Sequence, residues 1–293
     1  MKRMLVMVVL AVFSIGLLSP IVTKADKVVD ERLGVPIVVY GANLSDAEKE
    51  SVKTSLEVDK EAEIEEISVS GTDLAKYIKD SDEKARMYSS AKITRQDAGK
   101  GLVIQIVTPE NITQVTADIY ANAALTAGVE DAIIDIASPK KVTGHSALVG
   151  IYKAYEQSGE TLDTDRTDVA NDEMNLATKF SDSVDSDKVS ELLTEIKKQI
   201  AEKNPATKED VEKIVSEQLE KLDIKLSEAD RQLLIDLMDR IRSLDIDFSK
   251  LSTQLSEMSD KIRDKIGEID PGFWQKVEEF FASLLDSVKS WFK

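Results

Sequence analysis

The sequence contains no cysteine and a single histidine, and aromatic residues make up only 5% of it. Without thiols there are no disulfides, no thiolate metal centre and no cysteine nucleophile. His145 would have to pair with Ser146, its neighbour in the chain. Adjacent helical side chains diverge by about 100°, so the two cannot form a serine–histidine relay. Gly144-His-Ser-Ala-Leu148 also misses the G-x-S-x-G elbow, because Leu148 stands where the last glycine belongs.

Basic residues are short as well. Lys and Arg number 38 against 55 Asp and Glu, a formal charge of −17. A chain beginning at Asp26, without Lys2, Arg3 and Lys24, carries about −20. Such a field repels phosphate backbones, and no basic run offsets it, so nucleic acid is excluded as a partner.

Long apolar runs are scarce. Met4 to Leu18 is the exception, and it is short of the roughly 20 residues that a membrane span needs. Lys2-Arg3 precede it, Pro20 breaks it and Thr23-Lys24-Ala25 supplies small residues for cleavage. Residues 1–25 are therefore expected to be a secretory signal, and the mature protein to be extracellular.

What is present is an internal repeat. Val103-Ile-Gln-Ile-Val-Thr-Pro-Glu-Asn-Ile-Thr aligns with Ile133-Ile-Asp-Ile-Ala-Ser-Pro-Lys-Lys-Val-Thr at an offset of thirty. Each copy reads as strand, Thr/Ser-Pro turn and helix. Two such units with short links imply a parallel strand pair. Thr108-Pro109 is expected to open the first helix and Gly128 to close it. Lys140-Lys141 and Gly144 delay the second helix to about Thr143. Upstream, Val35–Tyr40 and Ile64–Val69 read as strands, and Ser45-Asp-Ala-Glu48 as a capping box. Ser89–Thr94 and Leu102–Val107 flank a turn-rich Asp97–Gly101 segment and read as a hairpin.

From Glu156 the composition turns acidic and poor in large apolar groups, and residues 161–187 read as a linker. Beyond it the pattern is helical. Leu234, Leu237, Ile241, Leu244, Phe248, Leu251, Leu255, Met258, Ile262, Ile266 and Ile269 step by three and four, as in a coiled-coil seam that either continues unbroken or folds back near Asp245–Asp247. Pro271-Gly272 starts a last amphipathic segment, 272–293, suited to packing, self-association or a membrane surface. The expected architecture is an α/β head over 26–160, with a parallel or mixed sheet of βα repeats. The 161–187 linker and an all-α, coiled-coil-like region over 188–293 follow it.

The chemistry-bearing group lies at the repeat turns: Thr108, Asn111, Thr113, Ser138, Lys140, Lys141, Thr143, His145 and Ser146. Parallel pairing would bring both turns to the carboxyl edge of the sheet, where open α/β sheets bind ligands and free helix amides favour anions. Asp163-Thr-Asp165-Arg-Thr-Asp168 hints at calcium, but lacks the glycine and glutamate of an EF-hand loop. No cofactor is expected.

Tyr40-Gly-Ala-Asn-Leu, Ser89-Ser-Ala, Asn111-Ile-Thr, Ala124-Leu-Thr-Ala-Gly-Val129 and Gly150-Ile-Tyr-Lys-Ala-Tyr-Glu156 carry a resemblance. On them the chain resembles the YpuA-like family of secreted proteins of Gram-positive bacteria. That family offers no catalytic residues to transfer, so the resemblance implies location and architecture. The expected function is non-enzymatic binding or scaffolding at the cell envelope, with an envelope component or a protein as partner. The alternative is an extracytoplasmic hydrolase acting on wall polymer or peptide through acidic residues.

Overall fold

A computed structural model describes residues 33–257. The signal segment, the 272–293 segment and the seam positions from Met258 onward lie outside the described residues. Strand β1 is Ile37–Gly41, an unbroken apolar run buried at every position. Helix α1 (Asp46–Ser55) follows, and Ser45 with Glu48 forms the expected capping box. Next come β2 (Glu65–Val69) and α2 (Gly71–Tyr77), then β3 (Ser90–Arg95) and β4 (Leu102–Ile106). The first repeat copy is completed by α3 (Ala117–Ala127), and the second supplies β5 (Ala132–Ala137) and α4 (His145–Gln157).

The five strands form one mixed sheet in the order β2-β1-β3-β5-β4. β1 pairs with β2 and β4 with β5 in parallel, while β3 runs antiparallel to both its neighbours. The repeat is visible in the ladder itself. Val103 pairs with Ile133 and Ile106 with Ile136, the same thirty-residue offset that aligns the two sequence copies.

β3 and β4 do not form the expected hairpin, because β5 inserts between them. Ile134 and Ile136 of β5 are fully buried, so this strand gains most from a central place. The 97–101 connection is held wide across the start of β5. Gly99 and Gly101 both donate backbone N–H groups to Asp131 Oδ1, at 3.0 and 2.8 Å. Both glycines have positive φ, which favours glycine there.

α3 packs against β4, and α4 packs across β1, β2 and β3. One continuous apolar core joins this face of the sheet to the later helices α5 (Thr164–Ser181), α6 (Ser186–Lys203), α7 (Lys208–Lys221) and α8 (Glu228–Ser243). The other face has a separate cluster, where Val38 and Tyr40 meet Val52 of α1 and Leu56 just past its end.

The expected linker at 161–187 is thus mostly the 18-residue helix α5, capped by Asp163. Val169, Ala170, Met174, Ala177 and Phe180 are buried along it, and it packs more extensively on α3 than on any other element. Composition concealed this stripe because Glu173, a buried charge, interrupts it. The seam is also not one helix within the described residues. α8 ends at Ser243, and a new helix, α9, runs over 248–257. Asp247 caps it by accepting from the Ser249 and Lys250 amides. Leu234, Leu237, Ile241, Leu251 and Leu255 all enter the chain's own core. Among the described residues no helix is long and apolar enough to cross a membrane.

Candidate functional site

The two repeat turns meet, but they mainly bind each other. Ile112 and Val142 form an isolated parallel bridge. The Val142 amide donates to Asn111 O at 2.8 Å and the Thr113 amide to Val142 O at 2.9 Å. Side chains reinforce this. Thr108 Oγ1 accepts from the Ser138 amide at 2.9 Å, and Asn111 Nδ2 donates to Ser138 O at 2.8 Å. Thr113 Oγ1 donates to Val142 O, and Ser138 Oγ to Lys140 O. Thr108, Asn111, Thr113 and Ser138 therefore zip the two copies together.

Thr108-Pro109 does not open a helix: residues 109–111 form a single turn, closed by the Asn111 amide on Thr108 O at 3.0 Å, and the bridge at Ile112 then ends it. α3 starts later, at Ala117, with Thr116 Oγ1 accepting from the Ile119 amide at 3.2 Å. Gly128 closes it in the left-handed conformation, as expected. The second copy differs. Its N-cap is Gly144, with φ of 108° and no side-chain cap, so α4 begins at His145. In the repeat frame Ser146 is the counterpart of the capping Thr116, yet it sits inside the first turn of α4. A Cβ at Gly144 would stand 2.6 Å from Tyr120 Oη and 2.8 Å from Ile112 Cγ2, which leaves room for glycine alone.

The open end of α4 faces a cavity of about 340 Å³. It is lined by Leu74 of α2, by Ala85, Arg86, Met87 and Tyr88 before β3, by Val142, Thr143, His145 and Ser146, and by Asn171 of α5. These segments leave the carboxyl ends of β2 and β5 and enter β3, so the cavity lies at the predicted edge. Of the predicted group, Thr143, His145 and Ser146 line it.

Lys140 is turned to other work. Its Nζ lies 2.5 Å from Glu48 Oε1 and 4.1 Å from the centre of the Tyr88 ring. Glu48 is held down to about 2 by Lys140 first, and then by the Ser45 amide and hydroxyl. Lys141 is exposed and, among the described residues, has no ion-pair partner. The same is true of Arg86, which sequence reasoning missed. It lies in an irregular stretch with no periodicity, with Asp82 and Glu83 four and three positions before it, so no local signal marked it out.

The lining holds no carboxylate. Burial lowers the His145 pKa, and a hydrogen bond with Asn175 partly opposes it, so the ring is neutral at neutral pH. With Ser146 next to it on the same turn, no relay forms. The acidic 163–168 segment disperses its carboxylates. Asp163 caps α5, Asp165 pairs with Lys79 and Asp168 with Arg240.

By fold, the chain is an α/β protein whose mixed sheet is backed by a helical layer continuous with its core. It belongs to the family described as protein of unknown function (DUF1002), whose model matches residues 40–258. It is similar to the uncharacterized protein YpuA of Bacillus subtilis (strain 168), at 34% identity over 272 residues, covering 90% of this chain and 92% of that protein. No solved structure matches it.

Proposed function

We propose that this is a secreted, envelope-associated protein that acts by non-enzymatic binding or scaffolding, and that it holds an anionic group at the edge cavity. The observation that carries the reading is a pair of cations without an ion-pair partner among the described residues, Arg86 in the lining and Lys141 on the adjoining turn, on a chain of net charge −17. Most other described basic side chains are matched to carboxylates, so two unmatched ones beside a cavity mark where an outside anion is favoured. The first-turn amides of α4 point the same way. The absence of a carboxylate from the lining weighs against the alternative, a hydrolase that works through acidic residues. Self-association belongs to the same reading, through the seam positions from Met258 to Ile269 and the 272–293 segment.

The test is sedimentation of the 26–293 chain with purified cell envelopes. The native chain should co-sediment, and Arg86→Glu with Lys141→Glu should stay in the supernatant. Equal retention of the two would overturn the reading.

A further inference from the structure

Resting on that reading, we infer that the cavity takes the free carboxylate end of a short peptide with small apolar side chains, and that Arg86 is the residue that holds it. Three features of the lining separate this ligand from a phosphate-bearing polymer. The first is charge. Arg86 is the only formal cation among the residues that line the cavity, and no acid accompanies it. Lys140 is already neutralised by Glu48, and Lys141 stands on the adjoining turn, outside the lining. A single guanidinium matches a monoanion, whereas a terminal phosphate monoester would leave about one charge uncompensated; the singly charged linking diesters of a polymer are told apart by the other two features.

The second is shape. The planar guanidinium fork meets the two oxygens of a carboxylate in parallel, a geometry that lysine cannot supply. The third is the rest of the lining. A volume of about 340 Å³ is far more than one oxyanion needs. Leu74, Met87 and Val142 provide apolar surface, while Ser146 and Asn171 provide hydroxyl and amide groups for peptide N–H and C=O. A bare anion or a sugar-phosphate chain would waste the apolar part. A peptide end with alanine-sized side chains uses all of it.

The experiment is calorimetric titration of the 26–293 chain with acetyl-dialanine, its C-terminal amide and inorganic phosphate. The free acid should bind at least about tenfold more tightly than the amide, because Arg86 loses its partner when the charge is removed. Arg86→Gln should erase that preference, and because Arg86 is exposed the variant should fold normally. Phosphate should bind more weakly than the free acid. If phosphate binds and the dipeptide does not, the peptide assignment fails while the anion site survives; if acid and amide bind alike, the cavity reads no charge and the anion site fails with the carboxylate assignment. If no probe binds, both fail.

Discussion

The two copies of the strand–turn–helix unit start from one template and end with different duties. In the first, Thr116 closes the start of α3, and the helix is locked into the molecule from its far side. Asn122 and Thr126 on α3 meet a fully buried ion pair, with Lys197 Nζ of α6 2.7 Å from Glu173 Oε1 of α5. Thr126 Oγ1 donates to Glu173, and Lys197 also donates to the Asn122 carbonyl. In the second copy Gly144 replaces a side-chain cap and the start of α4 stays open to the cavity. The charges differ too, since Glu110-Asn111 of the first turn become Lys140-Lys141 in the second. One unit thus anchors the helical layer, and the other leaves the start of its helix open to the cavity.

Breaking the anchor should cost most. Lys197→Met leaves Glu173 buried and unpaired, which typically destabilises by about 3–5 kcal/mol. Chemical denaturation should show this as a lower midpoint with an unchanged slope. Adding Glu173→Gln should restore a large part of the loss, because the uncompensated charge goes with it. If the single and double variants are equally unstable, the pair is not what joins α3 to α5 and α6.

Next is the open end of α4. Gly144→Ala forces a side chain into positive φ and against Tyr120 and Ile112. Strain and overpacking of this kind cost about 2–3 kcal/mol. Thermal unfolding should register it, and a neutral result would mean that the second turn can rebuild its cap.

The equivalent residues Thr116 and Ser146 provide a smaller and sharper contrast. Thr116→Ala removes a cap and should cost about 1 kcal/mol. Ser146→Ala, inside a helix turn, should change stability by less than about 0.5 kcal/mol. Equal costs in parallel melts would show that both helices are capped alike.

Much of this contrast was legible in the residues. The thirty-residue offset gave the parallel pairing of β4 and β5, and Ser45 announced its helix. Apolar steps such as Leu234, Leu237 and Ile241 gave the buried face of α8. Three things were not legible, each because a distant contact overrode a local signal. Thr108-Pro109 reads as a helix start, but it makes only a single turn before Ile112 bridges to the partner turn. Residues 161–187 read as a linker, because the Glu173 that breaks their stripe is matched by a lysine 24 positions on. The cavity is half built by 85–88, a stretch with no pattern of its own, brought to the repeat by the insertion of β3 between β1 and β5.

The smallest expected effect concerns the charge that separates the two turns. Lys140 holds the Glu48 carboxyl down to about 2, so the group stays ionised far below the ordinary carboxylate range. A depressed carboxyl contributes stability that is present above its unfolded value, about 4.3, and is lost as pH falls through about 2. A carboxyl-detected NMR titration should place the Glu48 midpoint near 2, and Lys140→Met should raise it towards the ordinary value. The same pair also keeps Lys140 from acting on the cavity, since its ammonium lies over the Tyr88 ring that lines the wall. Glu48→Gln frees that ammonium and adds an unmatched positive charge at the Tyr88 wall of the cavity. The variant should then bind phosphate more tightly relative to acetyl-dialanine than the native chain does. An unchanged ratio would mean that Glu48 has no part in setting the charge that the second copy presents.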